Sequence, residues 1–316
     1  MAVNLSQIKD LLLPGLRGVE GKYEMIPSQY DKIFTKHTSK MALERTAEMR
    51  YLGLAQLKTE GGQTAFDNGA GERYVYNQEH TEIGLGYAIT RKTIDDNLYK
   101  SQFMPSNLGL IESFHQTKEL YGANILNTAQ TYNSAIGGDG VALFSASHPT
   151  VGNGLQSNTF GATDLSEAAL ESALITISKT KDDRGILTGT QAESLHIPPD
   201  LAFTADQILN SVLSTKLQTA APYSGATGVT NVNNINSIRN QGLVPNGFFV
   251  NRRFTDTNAW FVKTDCPNGT KMFVRAPLQT KMEPDFDTGN LRFKARERYS
   301  FGWSDPLGIW GSSGSN

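Results

Sequence analysis

The sequence predicts a mixed α+β fold, and three segments carry the prediction. Residues 91–133 have the periodicity of a long helix with apolar side chains on two of its sides. Residues 50–90 are rich in glycine, aromatic and β-branched residues with partial alternation, which is typical of β-structure. Residues 278–301 have the pattern of a β-hairpin. A chain of 316 residues is long enough for one large domain or two coupled ones.

The hairpin is the clearest local signal. Asp287-Thr-Gly-Asn290 is a strong turn sequence between two strand-like runs. In the second run a mostly apolar face alternates with a basic face, which consists of Arg292, Lys294, Arg296 and Arg298. These cations could contact phosphate, or they could pair with acids such as Glu283, Asp285 and Asp287. The acidic neighbouring strand and the net charge of −2 favour pairing.

The long helix is expected to break near Pro105, because proline lacks the N–H group that the helical ladder needs. About 24 residues then continue, a length of about 36 Å. Its apolar residues are Leu110, Phe114, Tyr121 and Ile125 on one side and Leu108 and Leu126 on the other. We therefore expect the helix to be clamped between two layers.

Residues 50–90 contain few large apolar side chains for their length, so they could form little of a hydrophobic core. Leu52–Lys58 is a plausible strand, and glycine-rich loops follow at 59–62 and 67–71. We expect a single chain to be unable to bury Tyr74, Tyr76 and Ile83 well. The stretch is therefore predicted to pack mainly on another subunit.

Several shorter elements are predicted around these segments. Residues 1–49 lack regular periodicity and suggest an extended arm. Asp164-Leu-Ser-Glu167 resembles a capping box at the start of a helix. Ser194–Ile197 is a short apolar run that predicts a buried strand, and a further helix is expected from Asp200 onward.

Composition excludes several classes of protein. Lys and Arg number 29 against 31 Asp and Glu, so the strong basic excess of a dedicated nucleic-acid binder is missing. Cys266 is the single cysteine, which excludes a disulfide within one chain and any metal site built from several cysteines. No apolar run approaches about 18 residues, so we expect no membrane partner.

The sequence contains only fragments of known motifs for catalysis and metal binding. Asp287-Thr288-Gly289 is the tripeptide of pepsin-like proteases, but that chemistry needs two carboxylates and no second copy exists in the chain. Ser145 and Ser147 precede His148 without a nucleophile-elbow sequence. The histidines, which are His37, His80, His115, His148 and His196, lack metal-site spacing. We therefore expect no enzymatic activity, no cofactor and no metal.

One stretch resembles a known family. Asp139-Gly140-Val-Ala-Leu143-Phe144-Ser-Ala-Ser-His148-Pro149 resembles the Asp-Gly-x-x-Leu-Phe-x-x-x-His-Pro stretch of tailed-phage major capsid proteins, including the major head subunits of Mu-like phages. Four further stretches resemble the same family in the same order, at residues 94–99, 158–167, 197–209 and 296–306. Together these matches span about residues 50–310.

The resemblance implies the Hong Kong 97 type of capsid fold. Its expected parts are an N-terminal arm (1–49), an extended β-loop (50–90), a peripheral domain with a long spine helix (91–160), an axial domain (161–270), and return strands of the peripheral domain with a C-terminal tail (271–316). The expected assembly contacts are Lys58, Tyr74, Tyr76, Ile83, Arg292, Lys294, Arg296 and Arg298.

The implied function is that of a major capsid protein, which self-assembles into the icosahedral shell around the phage genome. Its expected partners are copies of itself in hexamers and pentamers, a portal protein at one vertex, and packaged double-stranded DNA bound without sequence specificity. Only residues 1–49 precede the β-loop, so we also expect a separate scaffolding protein and no proteolytic maturation at the N-terminus. The expected location is the virion, after assembly in the host cytoplasm.

Two alternatives remain open at this point. One is another self-assembling phage structural protein, such as a tail or adhesion component, and the other is a hydrolase built on Asp287. In some relatives a lysine of the extended loop bonds covalently to an asparagine of a neighbour. Lys58 is the only lysine between residues 51 and 90, so it is the local candidate for such a bond.

Overall fold

The computed structural model describes residues 23, 26–49, 52–67, 71–95, 99–150, 152, 154–214 and 235–315. These residues form a mixed α+β structure, as predicted. The helices are α1 (Tyr30–Ile33), α2 (Arg91–Asp95), α3 (Tyr99–Asn127), α4 (Glu167–Ser178), α5 (Ala202–Asn210) and α6 (Ser237–Gln241). The strands are β1 (Thr35–Thr38), β2 (Leu43–Met49), β3 (Glu72–Glu79), β4 (Thr81–Ile89), β5 (His148–Pro149), β6 (Leu155–Gln156), β7 (Ala192–Ile197), β8 (Phe248–Val250), β9 (Trp260–Thr264), β10 (Thr270–Pro284), β11 (Leu291–Trp303) and β12 (Ile309–Ser312).

The chain divides into two compact units. The first draws its residues from Met1–Glu44, Gln78–Gly122 and Met272–Phe301. The second comprises Arg45–Asn77, Ala123–Lys271 and Gly302–Asn316. No helix in the described part of the chain is long and apolar enough to cross a membrane.

The first unit is built on a four-stranded sheet with strand order β1-β10-β11-β4. The predicted hairpin is confirmed, because β10 and β11 flank a turn in which Gly289 adopts a φ of 66°, a left-handed conformation that glycine tolerates. β11 pairs antiparallel with β4, from Leu291 opposite Ile89 to Tyr299 opposite Thr81. The predicted alternation along β11 is also present, since its apolar face is buried while Arg292, Lys294 and Arg296 point to solvent.

The predicted long helix is present as α3, which has 29 residues. The predicted break at Pro105 is wrong, because the helix begins at Tyr99 and continues through the proline. A single proline removes one bond of the ladder, and the turns on either side continue. Leu110, Phe114 and Ile125 are buried as expected.

The opposite apolar side of α3 is covered less completely than predicted. Leu126 is buried, but Leu108 remains about half exposed. Tyr121, which was assigned to the covered side, is also substantially exposed. The prediction that α3 is covered on two sides is thus only partly fulfilled within one chain.

The second unit contains a four-stranded sheet with strand order β12-β9-β7-β8. The predicted helix start is confirmed, since the Ser166 hydroxyl caps α4 by accepting a hydrogen bond from the Ala169 N–H at 3.2 Å. The predicted strand at Ser194–Ile197 lies within β7. The core that joins these elements includes Leu170, Ile177, Leu195, Ile197, Ala205, Ile208, Trp260, Val262 and Trp310.

Strands β2 and β3 form a separate two-stranded sheet, called here the β2–β3 ribbon. The ribbon carries the segment 52–67, called here the tip segment. The strand predicted at Leu52–Lys58 is wrong, because these residues form no regular secondary structure and the strand lies at Leu43–Met49 instead. Strand pairing depends on a partner strand, and this requirement is not visible in a local pattern.

Candidate assembly surfaces

The tip segment exposes large apolar side chains. Leu54, Leu57 and Phe66 are 76%, 97% and 87% exposed, and Leu52 is also mostly exposed. Lys58 lies among them and is exposed as well. Scattered apolar side chains on a surface are ordinary, whereas four on one short segment mark an interaction surface.

The ends of the tip segment are held together at the base. One carboxylate oxygen of Asp67 accepts a hydrogen bond from the Gly53 N–H at 2.6 Å. The same oxygen pairs with the guanidinium of Arg184. The tip segment is therefore a loop whose two ends are fixed to each other. Its large apolar side chains are exposed to solvent.

The expectation that a single chain cannot bury the ribbon's aromatic residues is wrong. Tyr76 is only 3% exposed, and its hydroxyl lies 3.5 Å from Lys271 Nζ. The Tyr74 hydroxyl donates a hydrogen bond to the Ser304 carbonyl at 3.1 Å, and burial raises the pKa of this phenol. These contacts arise from residues far away in the sequence, so the composition of the stretch alone could not predict them.

Ile83 is also partly covered within the chain. It packs against Leu110 and Phe114 of α3 and against Ala295 of β11. Tyr74, Tyr76 and Ile83 thus serve first to hold a single subunit together. Among the predicted contact residues of the β-loop, Lys58 stays fully available to a neighbour.

The basic face of β11 pairs with acids of the same chain. Arg292 Nη2 lies 2.7 Å from Asp285 Oδ2, and Lys294 Nζ lies 3.9 Å from Glu283 Oε2. This agrees with the pairing favoured by the sequence.

Arg296 and Arg298 pair with Glu82, which is not among the acids that the sequence predicts as partners. Their guanidinium nitrogens lie 3.8 and 3.7 Å from the carboxylate oxygens of Glu82. Arg296 also donates two hydrogen bonds to Gln279 Oε1, at 3.2 and 3.1 Å. Glu82 lies on β4, and its pairing depends on the long-range β4–β11 register, for which the sequence carries no local signal.

Two glycines shape the surface beside these cations. Gly84 lies opposite Arg296 and Gly86 lies opposite Lys294 in the β4–β11 register. Because neither glycine has a side chain, they help leave an open trough of about 960 Å³ that is also lined by Lys281 and Gln279. The trough is lined by both polar and apolar groups.

The family-like stretch 139–149 folds around a buried polar network. His148 Nε2 lies 3.0 Å from Asn158 Oδ1 and 3.2 Å from the Leu143 carbonyl. Asn158 Nδ2 donates to the carbonyls of Leu143, Pro306 and Ile309. These bonds join stretches that are about 150 residues apart in the sequence, so the stretch has a structural role.

The catalytic motifs take structural positions too. The Ser145 hydroxyl bonds to that of Ser147 at 3.0 Å, while both ring nitrogens of His148 face other partners. Asp287 lies in the exposed turn of the hairpin. Among the described residues, no three side chains of His, Cys, Asp or Glu cluster in a way that could hold a metal ion.

A family model described as phage capsid protein matches residues 78–311. The match covers well over half of the chain. The chain belongs to the phage capsid protein family.

Solved structures agree on the fold of this capsid protein. The capsid of a native GTA particle is 9% identical, with a TM-score of 0.53 and coverage of 92% of each chain. The procapsid of bacteriophage JBD30 is 14% identical, with a TM-score of 0.50 and coverage of 98% of this chain and 76% of that one. A virus-like particle from Pyrococcus furiosus is 11% identical, with a TM-score of 0.50 and coverage of 95% and 96%. A search of curated proteins found no match.

The family resolves the functional alternatives. The protein is a major capsid protein of the tailed-phage type, a subunit of a multi-subunit shell and a component of the virion. Its mixed α+β fold resembles that of phage capsid structures. The family is one of structural proteins, which argues against the hydrolase alternative.

Proposed function

We propose that this capsid protein has the Hong Kong 97 type of fold and builds its shell from hexamers and pentamers. The first compact unit corresponds in this proposal to the peripheral domain, with α3 as the spine helix. The sheet β12-β9-β7-β8 with α4, α5 and α6 corresponds to the axial domain, and the β2–β3 ribbon with its tip segment corresponds to the extended loop. The element order and the two-unit division support this assignment.

The observation that carries the assembly proposal is the exposed apolar tip segment. Fully burying one leucine or phenylalanine side chain contributes about 1.5–3 kcal/mol relative to leaving it exposed. Four such residues on a segment with anchored ends can therefore stabilise a contact with a neighbouring subunit by several kcal/mol. Lys58 would lie inside that contact.

The remaining partners follow from the family. A scaffolding protein, a portal protein at one vertex and double-stranded DNA held without sequence specificity belong to the proposed assembly, which takes place in the host cytoplasm. The protein acts as a structural subunit without catalysis. The pairing of Arg292, Lys294, Arg296 and Arg298 with acids supports a role of the basic face in protein contacts.

Replacement of residues 54–66 by a short glycine linker tests the assembly role. Asp67 already bonds to Gly53, so a short linker can close the gap without straining the ribbon. We expect soluble, folded subunits that do not close shells, as measured by sedimentation and electron microscopy. Normal shells from this variant would contradict the proposed role of the tip segment.

A further inference from the structure

A buried polar cluster lies at the base of the β2–β3 ribbon, within the second compact unit. Glu48 projects from β2, and Arg73 and Tyr74 project from β3. Asp183 comes from the loop after α4, and Asp305 follows β11. The side chains of Glu48, Arg73 and Asp183 are each 10% exposed or less, and Asp305 is also buried.

The guanidinium of Arg73 interacts with three carboxyl groups, which belong to Glu48, Asp183 and Asp305. Arg73 Nε lies 3.1 Å from Asp183 Oδ1, whereas Arg73 Nη1 lies 3.9 Å from Glu48 Oε1. If all three carboxyl groups were ionised, the cluster would carry a surplus of two negative charges in a place from which water is largely excluded. Burial without compensation strongly disfavours the charged form of a carboxyl group.

The other two carboxyl groups have nearby donors that favour their ionised form. Asp305 Oδ1 accepts a hydrogen bond from the Leu307 N–H at 2.9 Å, and its Oδ2 lies 3.6 Å from the Cys266 thiol. Asp183 has the short contact to Arg73. Among the residues that the structure describes, the cation paired with Glu48 is the distant Arg73 guanidinium, and Glu48 also faces the carboxylate of Asp305 and the hydroxyl of Tyr74. Two carboxyl groups in contact share a proton, and these contacts place it on Glu48.

We propose that the folded chain holds Glu48 protonated at neutral pH and that loss of this proton loosens the base of the β2–β3 ribbon. Ionised Glu48 would repel Asp305 and compete with Asp183 for Arg73. Asp183 is adjacent to Arg184, which holds the end of the tip segment through Asp67. Loosening of the cluster would therefore weaken both the Arg73–Asp183 contact at the base of the ribbon and the Arg184–Asp67 contact at the end of the tip segment.

The titration behaviour of Glu48 agrees with this geometry. Burial, followed by the negative charge of Asp305, raises the pKa of Glu48 from 4.5 to about 8, although Arg73 and Tyr74 act in the opposite direction. Between these two values the folded chain keeps a proton that the unfolded chain has lost. The contribution of Glu48 to stability is therefore fully present below pH 4.5, falls as pH rises through this window, and has been lost above about pH 8.

Cys266 provides a built-in reporter, because it is the single cysteine and touches Asp305. The experiment measures its alkylation rate on unassembled full-length subunits between pH 6 and pH 9. Wild type is compared with Glu48→Gln, which mimics the protonated acid. Glu72→Gln is the matched control, since Glu72 is an exposed acid on the same ribbon.

We expect the ratio of the wild-type rate to the Glu48→Gln rate to rise at least about tenfold over this range, because each pH unit in the titration window changes the opening equilibrium by about tenfold. Glu72→Gln should follow wild type. An ionised Glu48 raises the pKa of the Cys266 thiol and would by itself slow alkylation, so a faster wild-type reaction identifies opening.

A constant ratio across the range would overturn the proposal. A Glu48→Gln chain that fails to fold would also overturn it, because the amide is the nearest neutral mimic of the protonated acid. The consequence for assembly, a shell that closes less readily at alkaline pH, rests on the function proposed for the tip segment. The alkylation result does not depend on assembly, so the two proposals can fail separately.

Discussion

His148 Nδ1 lies 2.7 Å from Asp139 Oδ2, and both side chains are completely buried. The other ring nitrogen faces two acceptors, because Asn158 Oδ1 also accepts from the Ser145 N–H and the Asn158 amide nitrogen donates to three carbonyls. Both ring nitrogens of His148 therefore have polar partners inside the fold. The family-like stretch is thus organised by a buried His148–Asp139 pair within a hydrogen-bonded network.

Loss of the Asp139 carboxylate from this pair should be costly. We expect Asp139→Asn to destabilise the chain by about 1–3 kcal/mol, because it disrupts a completely buried hydrogen bond to the His148 ring. Denaturant unfolding of the soluble subunit measures this. The double variant Asp139→Asn with His148→Gln should lose clearly less than the sum of the single losses. Additive losses would show that the two residues do not stabilise each other.

The leucines of the tip segment should matter for assembly and not for folding. Leu54→Ser with Leu57→Ser should leave the unfolding midpoint of the subunit nearly unchanged, because both side chains are already in solvent. Shell yield, measured by sedimentation, should fall strongly. Gln56→Ser on the same segment is the control and should assemble like wild type. A drop in subunit stability instead would place these leucines in the core of a single chain.

The Arg296 and Arg298 pairs test how the basic face is used. Exposed ion pairs contribute only about 0.2–1 kcal/mol each. Arg296→Gln with Arg298→Gln should therefore change subunit stability little, weaken shell formation or shell stability at raised temperature, and leave the length of packaged DNA unchanged. Glu82→Gln, which removes their shared partner, should have a similar effect. Shells that assemble normally but package DNA poorly would show that this face contacts phosphate.

The second compact unit should lose stability in acid through His196. Burial, followed by the charge of Lys263, lowers the pKa of His196 to about 3. Because the unfolded residue binds a proton near pH 6.5, stability should fall as pH decreases from 6.5 towards 3. His196→Gln, which can still bond to the Ser194 hydroxyl, should flatten this part of the curve of unfolding temperature against pH. A curve of unchanged slope would contradict this assignment.

The features that the sequence predicts correctly have causes that act over a few residues. The turn at Asp287–Asn290 and the alternation along β11 follow from local conformational preferences and from a period of two. The cap of α4 at Ser166 is local as well. The family resemblance at Asp139–Pro149 added the function, which periodicity and composition had not established.

The features that were missed depend on contacts between distant residues. Tyr76 is buried against residues about 195 positions away, and Glu82 meets Arg296 only through the β4–β11 register. The Glu48 cluster joins four separate stretches of chain. Asp183 pairs with Arg73 and Arg184 pairs with Asp67, and these contacts hold the ribbon and the tip segment. The two charges are adjacent in the sequence, but nothing local indicates their partners.

The particle mass of the purified full-length protein tests the central claim most directly. A major capsid protein should sediment as pentamers, hexamers or closed shells many times heavier than the 34.5 kDa chain. Electron microscopy of the heaviest fraction should show closed shells. A protein that stays monomeric or dimeric at all concentrations and in the presence of its phage partners would contradict the account.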